Sequence, residues 1–231
     1  MAKKVRVLNL VMLISAMICL VCYDLFRGLW LKGFTSSWFF VLGCINLVYA
    51  WKQNVNRKSV IILIVLGLCL GMCADVLLGI NFMAGLLCFA SGHVMYLTAF
   101  YILKRFQWKD VLFIVPVAVL SIYLVTGTPF IQIEDSGLKK LLIGYAVIIA
   151  CMLAKALSNY CTNKCISTKL ILIGSLMFWF SDLMLAIDMF GKSSRLVWVL
   201  CSYSYWPAQN LLAHSLYHFV NEQKILQISK E

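Results

Sequence analysis

Apolar residues fall in eight long blocks along the chain, each separated from the next by a short polar stretch. The blocks cover 7–26, 34–51, 60–80, 82–103, 111–126, 138–157, 170–187 and 196–219. None shows the alternation over about 10 residues that marks a barrel strand, whereas a helix crossing a membrane needs about 20 apolar residues. The pattern therefore predicts an all-α polytopic membrane protein, an eight-helix transmembrane bundle forming a single domain over 1–231. Only Asn81 separates the third block from the fourth, which predicts a tight hairpin there. Pro116 and Pro207 lie inside the fifth and eighth blocks, where each removes a backbone donor and is expected to kink its helix. The opening Met1-Ala-Lys-Lys-Val-Arg6 leads into a run too long for a signal peptide and lacking a small-x-small cleavage site. A retained first span is expected.

Charge inside the blocks is rare, and where it occurs it repeats. Asp75 is the single charge between Val60 and Ile80, and Gly67, Gly71, Asp75 and Gly79 recur at every fourth position. On a helix these form one smooth stripe against which a neighbour can pack closely, turning the acid toward protein rather than lipid. A carboxylate near the bilayer centre costs roughly 2.5–3.5 kcal/mol on insertion scales and reads as functional. Its counterpart comes later: Phe180-Ser-Asp182-Leu-Met-Leu-Ala-Ile echoes Cys73-Ala-Asp75-Val-Leu-Leu-Gly-Ile almost position by position. The echo points to a four-plus-four duplication, whose halves would be parallel repeats about an axis along the membrane normal.

Composition agrees with the pattern. The chain is 63% hydrophobic and 13% charged, with a net charge of +11. In a soluble protein that charge would point to nucleic acid; here it sits in short loops, so it sets orientation instead and no nucleic-acid partner is implied. With the N-terminus cytoplasmic, about 14 of the basic residues, Lys230 among them, fall on the cytoplasmic side and about 6 on the other. Both termini are thus expected in the cytoplasm, at the inner membrane if the source is bacterial. Most of the ten cysteines lie within apolar blocks, where a thiol acts as a small apolar filler.

Depth along each block, at about 1.5 Å per residue, sorts the polar residues. Asp75, His93, Asp182, Tyr205 and Gln209 fall in one layer from mid-bilayer into the outer half, with Ser91, Tyr96, Tyr203 and Asn46 near it. His214 and His218 stand one turn apart, a spacing that can clamp zinc, but toward the cytoplasmic end, where interfacial histidines are the simpler reading. Cys161 and Cys165 form a weak pair in a loop. No GxSxG elbow, Walker loop or HExxH helix is present. What remains is two carboxylates with a histidine, a tyrosine and an amide. Two buried acids facing one cavity can share the work of holding a proton and staying ionised. That suits general acid catalysis with stabilisation of an oxocarbenium-like centre, and equally suits a proton-coupled carrier.

Four stretches carry a resemblance. They are Gly71-x-x-x-Asp75-x-x-Leu78; Phe82-x-x-Gly85-x-x-x-Phe89-x-x-x-His93-x-x-Tyr96; Gly174-x-x-x-Phe178-x-x-Ser181-Asp182-x-x-Leu185-Ala186; and Tyr205-x-x-x-Gln209. The chain resembles the YhhN family of integral-membrane lysoplasmalogenases over nearly its whole length. It departs from the pattern at Trp206, where a second tyrosine is usual. It also lacks a Lys-Pro at the start of the second span, where Trp38-Phe-Phe-Val-Leu stands.

The resemblance implies hydrolysis of the vinyl ether bond of a lysoplasmalogen. The products would be a fatty aldehyde and glycerophosphoethanolamine or glycerophosphocholine. Asp75 and Asp182 would be catalytic, and His93, Tyr96, Ser181, Tyr205, Gln209 and Asn46 would bind substrate or support them. The partners it implies are a lysophospholipid and the bilayer, with no metal or organic cofactor. The headgroup is expected toward Asp24, Asp188 or the aromatic rim. A proton-coupled transporter, or a zinc-dependent lipid hydrolase using His93 or the His214/His218 pair, are the competing classes.

The orientation can be tested directly. Reporters fused after Asn56 and after Lys192 should read cytoplasmic and external respectively. A cytoplasmic signal from the second would overturn the register of the last two spans.

Overall fold

The computed structural model describes residues 2–229; Lys230, counted above among the cytoplasmic charges, lies outside them. Eight helices make up these residues: α1 Ala2–Phe26, α2 Leu29–Gln53, α3 Lys58–Leu78, α4 Phe82–Leu103, α5 Asp110–Thr126, α6 Ser136–Thr162, α7 Ile166–Phe190 and α8 Arg195–Ile228. The bundle is all-α, with one isolated β-bridge, between Ile131 and Gly191. Successive helices run up and down. The N- and C-terminal segments meet at one end, where Tyr217 donates to the Ala2 carbonyl at 3.5 Å. That end is called here the termini end, and the opposite one the far end.

Short polar residues set the helix starts. Asn81, Asp135 and Ser194 each accept from the backbone N–H three residues on, satisfying donors that the first turn leaves free. Asn54 ends α2 in the left-handed conformation, which asparagine tolerates. Most helices exceed their apolar blocks by a few residues, since capping and packing carry a helix past the membrane-like segment. The largest excess is in α8, which continues beyond 219 to Ile228. Both α5 and α8 run unbroken through their prolines.

Six helices, α1 to α4, α6 and α7, are long and apolar enough to cross a membrane. The other two fall short for different reasons. At about 1.5 Å per residue, α5 spans roughly 26 Å, a little less than a hydrocarbon core of about 30 Å. In α8 the polar residues are many, but Ser202, Tyr205, Gln209, Asn210 and Ser215 are buried against protein. Their polarity lowers the helix's hydropathy without facing lipid.

Neighbours follow a regular scheme. The α3–α4 and α7–α8 hairpins pack most extensively, and α1–α2 is matched by α5–α6, α2–α3 by α6–α7, and α2–α8 by α4–α6. Adding four to each helix number maps these pairs onto one another, as a four-plus-four repeat requires. The α1–α8, α3–α8 and α5–α7 pairs lack such a counterpart among the described residues. At the termini end, the fully buried Lys155 reaches Asp110 at 2.7 Å, Ser158 donates to the same carboxylate, and the Gln107 N–H adds a third bond at 3.0 Å. This network ties the α4–α5 connection down onto α6.

The tight α3–α4 hairpin depends on Gly85. A Cβ there would lie 2.6 Å from the backbone of Leu78, which cannot swing aside. Gly85→Ala should lower stability in detergent by about 1–3 kcal/mol, the usual cost of overpacking. Gly144→Ala, in open space on α6, should raise it by about 0.5–1 kcal/mol. Thermal unfolding of both variants checks the contrast; equal shifts would contradict it.

Candidate functional site

Asp75 lies one turn from the end of α3, buried where α2, α3 and α8 meet. Its Oδ2 accepts from Ser36 of α2 at 2.5 Å and from Tyr205 of α8 at 2.7 Å. The Lys32 ammonium stands 3.6 Å from Oδ1. Behind Tyr205 the bonds continue: Gln209 donates to its hydroxyl at 3.3 Å, and Tyr96 of α4 donates to the Gln209 carbonyl at 2.6 Å. Trp206 donates to Ser36 at 3.2 Å. The unusual tryptophan thus orients the hydroxyl that holds Asp75.

Asp182 occupies the matching place on α7. Its Oδ2 accepts from the Tyr145 hydroxyl of α6 at 2.5 Å, and His93 Nε2 of α4 lies 3.2 Å from the same oxygen and 2.9 Å from Tyr145. His93 Nδ1 is buried without a partner. A lone pair left bare there costs less than a buried N–H without an acceptor, so the proton of a neutral ring belongs on Nε2, facing the acid. Ser181 donates to the Phe178 carbonyl at 2.7 Å and is 3.5 Å from Asp182 Oδ1, too long for more than a weak bond.

The two acids meet at one cavity of about 220 Å³, lined by Asp75, Asp182, Ser181 and Tyr205 together with Lys32 and Asp188. His93, Tyr96 and Gln209 lie outside its lining and hold the residues that do line it. Asp188 accepts from Ser193 at 2.5 Å. Near the far end, Asp24 pairs with Arg195, and the Trp198 ring is contacted by two guanidinium groups, Arg27 at 4.3 Å and Arg195 at 4.9 Å.

Several expectations need correcting. Asn46 is not part of this site. It lies about 15 Å along α2 from Ser36, in a reciprocal amide pair with Asn9 at 2.9 Å each way, and it also donates to the Ala213 carbonyl. Depth alone had drawn it toward the acids. Ser91 and Tyr203 are exposed and bond to Leu87 and Asp24 instead.

Lys32 falls in the polar stretch between the apolar blocks 7–26 and 34–51, which reads as a loop, yet it lies in the first turn of α2, so this chain does bring a lysine from the start of its second helix to Asp75. Tyr145 and Ser36 were missed altogether. The position of Tyr145 on α6, at the depth of Asp182, was the available signal. His214 bonds to Asn9 at 3.0 Å and packs against His218, with ring centroids 5.0 Å apart. Cys19 and Cys22 have CxxC spacing but lie within the last turns of α1 as free thiols. Among the described residues no group of three or more His, Cys, Asp or Glu gathers as a ligand set.

A profile of the YhhN family matches residues 35–216. That range contains both acids, His93, Tyr145 and Tyr205, and leaves out α1 and Lys32. No curated protein and no solved structure matches the chain.

Because Asn46 stands apart from the cavity, its role is separable from any chemistry there. Asn46→Ala removes the reciprocal pair with Asn9 and the bond to the Ala213 carbonyl, leaving Asn9 only Val5 and His214, and should cost about 1–3 kcal/mol of stability. Turnover per folded molecule should not change. A fall in turnover at unchanged stability would return Asn46 to the site.

Proposed function

The chain belongs to the YhhN family, and we propose that it hydrolyses the vinyl ether bond of lysoplasmalogens inside its membrane bundle. One observation carries this reading: Asp75 and Asp182 line the same cavity from matched positions on α3 and α7, each held by donors from two neighbouring helices. Two carboxyl groups on one cavity are what acid-catalysed cleavage through an oxocarbenium centre needs.

The chemistry divides as follows. Asp182 gives its proton to the alkenyl carbon remote from oxygen, and the double-bond electrons form the new C–H bond. The adjacent carbon becomes an oxocarbenium, whose positive charge faces Asp75. Water adds to that carbon and loses a proton to Asp75, giving a hemiacetal. Its collapse breaks the bond to the glycerol oxygen, which leaves as a hydroxyl, and frees the aldehyde. One water is consumed and both carboxyls return to their starting states after proton exchange. Ser36 and Tyr205 fix the orientation of Asp75, while Tyr145 and His93 do the same for Asp182. Lys32 balances the charge of Asp75 and offers a cation to a lipid phosphate. The cytoplasmic placement of both termini, with lipid entering from the outer leaflet, belongs to the same proposal.

Purified protein should release fatty aldehyde from an alkenyl lysolipid and none from its acyl analogue. In heavy water, with the aldehyde trapped by reduction, one deuterium should appear next to the former carbonyl carbon. Asp75→Asn and Asp182→Asn should each lower turnover about a hundredfold or more, with folding kept because a buried amide costs less than a buried acid. The double variant should lose little beyond the worse single one. A folded Asp182→Asn protein with full turnover would end this reading. Activity lost to chelation and restored by zinc would favour the metal hydrolase. Uptake driven by a pH gradient without aldehyde would favour the carrier.

A further inference from the structure

Beside the acid cavity lies a second, narrower slot, enclosed by α4, α5, α6 and α7 and lined almost wholly by aliphatic and aromatic side chains. The two spaces share a wall made of Leu78, Phe89, Asp182, Leu185 and Met189. Asp182 is the single charged residue of that partition. At the far end the slot is closed by Phe82 and Phe190, packed edge to face with centroids 5.6 Å apart. The segment behind them is pinned by the Ile131–Gly191 bridge and by the Gln132 N–H donating to the Phe190 carbonyl at 2.9 Å. At the other end Trp179 forms the floor, held by a 2.8 Å hydrogen bond to Ser121 of α5. Among the described residues α5 packs on α6, barely on α7, and not on α4. The seam between α4 and α5 is therefore where the slot meets lipid.

We infer that this slot holds the hydrocarbon chain of a single-tailed lipid, and that the Phe82–Phe190 pair stops the chain and so sets the length accepted. A narrow space bounded by aromatic side chains at both ends suits an alkyl chain, and Asp182 and Tyr145, with Ser121 bonded to Trp179, are its few polar groups. The direction of the chain follows from where Asp182 sits. Along α7 it is about 4 Å above Trp179 but about 12 Å below Phe190, so a chain starting at the acid must run toward Phe190. The polar end of the same molecule then crosses the partition at Asp182 into the acid cavity, beside Lys32. A molecule with one apolar tail and an anionic polar head occupies both spaces at once. The inference rests on the lipid reading of the acid cavity, and not on the bond cleavage proposed there.

The test uses saturated 1-alkyl lysolipids, which bind but cannot be hydrolysed, in a chain-length series competed against a labelled member on full-length protein in nanodiscs. Each methylene buried is worth roughly fourfold in affinity, so binding should climb with chain length and then break off where the chain meets Phe190. Phe190→Ala should move the optimum to longer chains. Ala146→Phe, which fills the slot from α6, should move it to shorter ones. Phe82→Leu provides a milder lengthening if Phe190→Ala fails to fold. Aldehyde release from the alkenyl series is measured in parallel. Optima that move without any aldehyde would sustain the slot and remove the hydrolase reading. A flat dependence on length, or one optimum shared by parent and variants, would overturn the inference.

Discussion

A carboxylate buried among helices gives up most of its hydration, and the centre of this protein is arranged around replacing it with protein donors. Each acid takes its hydrogen bonds from two other helices: Asp75 from α2 and α8, Asp182 from α4 and α6. Bonds of about 2.5–3.2 Å force the helices into close approach, so the small residues beside the acids are a consequence of the acids. Gly67 lies under the Tyr96 ring and Gly71 under the Gln209 amide and the Tyr205 hydroxyl. A side chain at Gly71 would displace the residues that hold Asp75. Packing and chemistry at this site are therefore one constraint, because a buried carboxylate that loses a donor pays for its lost hydration.

That constraint explains which parts of the site were legible from the sequence. A lone charge inside an apolar run is conspicuous, so Asp75 and Asp182 could be found, and the matched residues around them revealed their kinship. His93, Tyr205 and Gln209 followed from depth along antiparallel helices. Depth, however, says nothing about the direction a side chain takes around its helix axis. Asn46 was misplaced for that reason, being turned toward α1 and far from the acids along α2. Tyr145 sits in an apolar run where a tyrosine draws no attention, and Ser36 in a Thr-Ser-Ser stretch that reads as a helix start. Lys32 was lost to a boundary error. Gly28, with φ of 128°, lets α2 begin at Leu29, five residues before the apolar block does.

The two halves explain more than the echo of eight residues promised. Gly67 and Gly174 each precede their aspartate by two helical turns and face the partner helix of their hairpin, Tyr96 on α4 and Leu212 on α8. The donors map as well: Ser36 on α2 answers to Tyr145 on α6, and Tyr205 on α8 answers to His93 on α4. The same helix neighbours have thus been kept while the donor chemistry has diverged, a serine hydroxyl and a phenol on one acid, a phenol and an imidazole on the other.

The divergence that matters is one turn further along. On α2 the residue a turn before Ser36 is Lys32, which brings a cation to the acid cavity. On α6 the turn before Tyr145 holds Leu141 and Leu142, with no charge, and Leu142 lines the apolar slot. A symmetric pair of acids is flanked by charge on one side and hydrocarbon on the other. Two equivalent flanks would serve a symmetric ligand or a small ion as well as anything else. Unequal ones discriminate, since a phosphate left against Leu142 would lose its water without compensation, and a methylene chain against Lys32 would displace water from a charge. Only one orientation of a two-ended molecule avoids both costs, and in that orientation its middle lies at Asp182, on the partition between the two spaces.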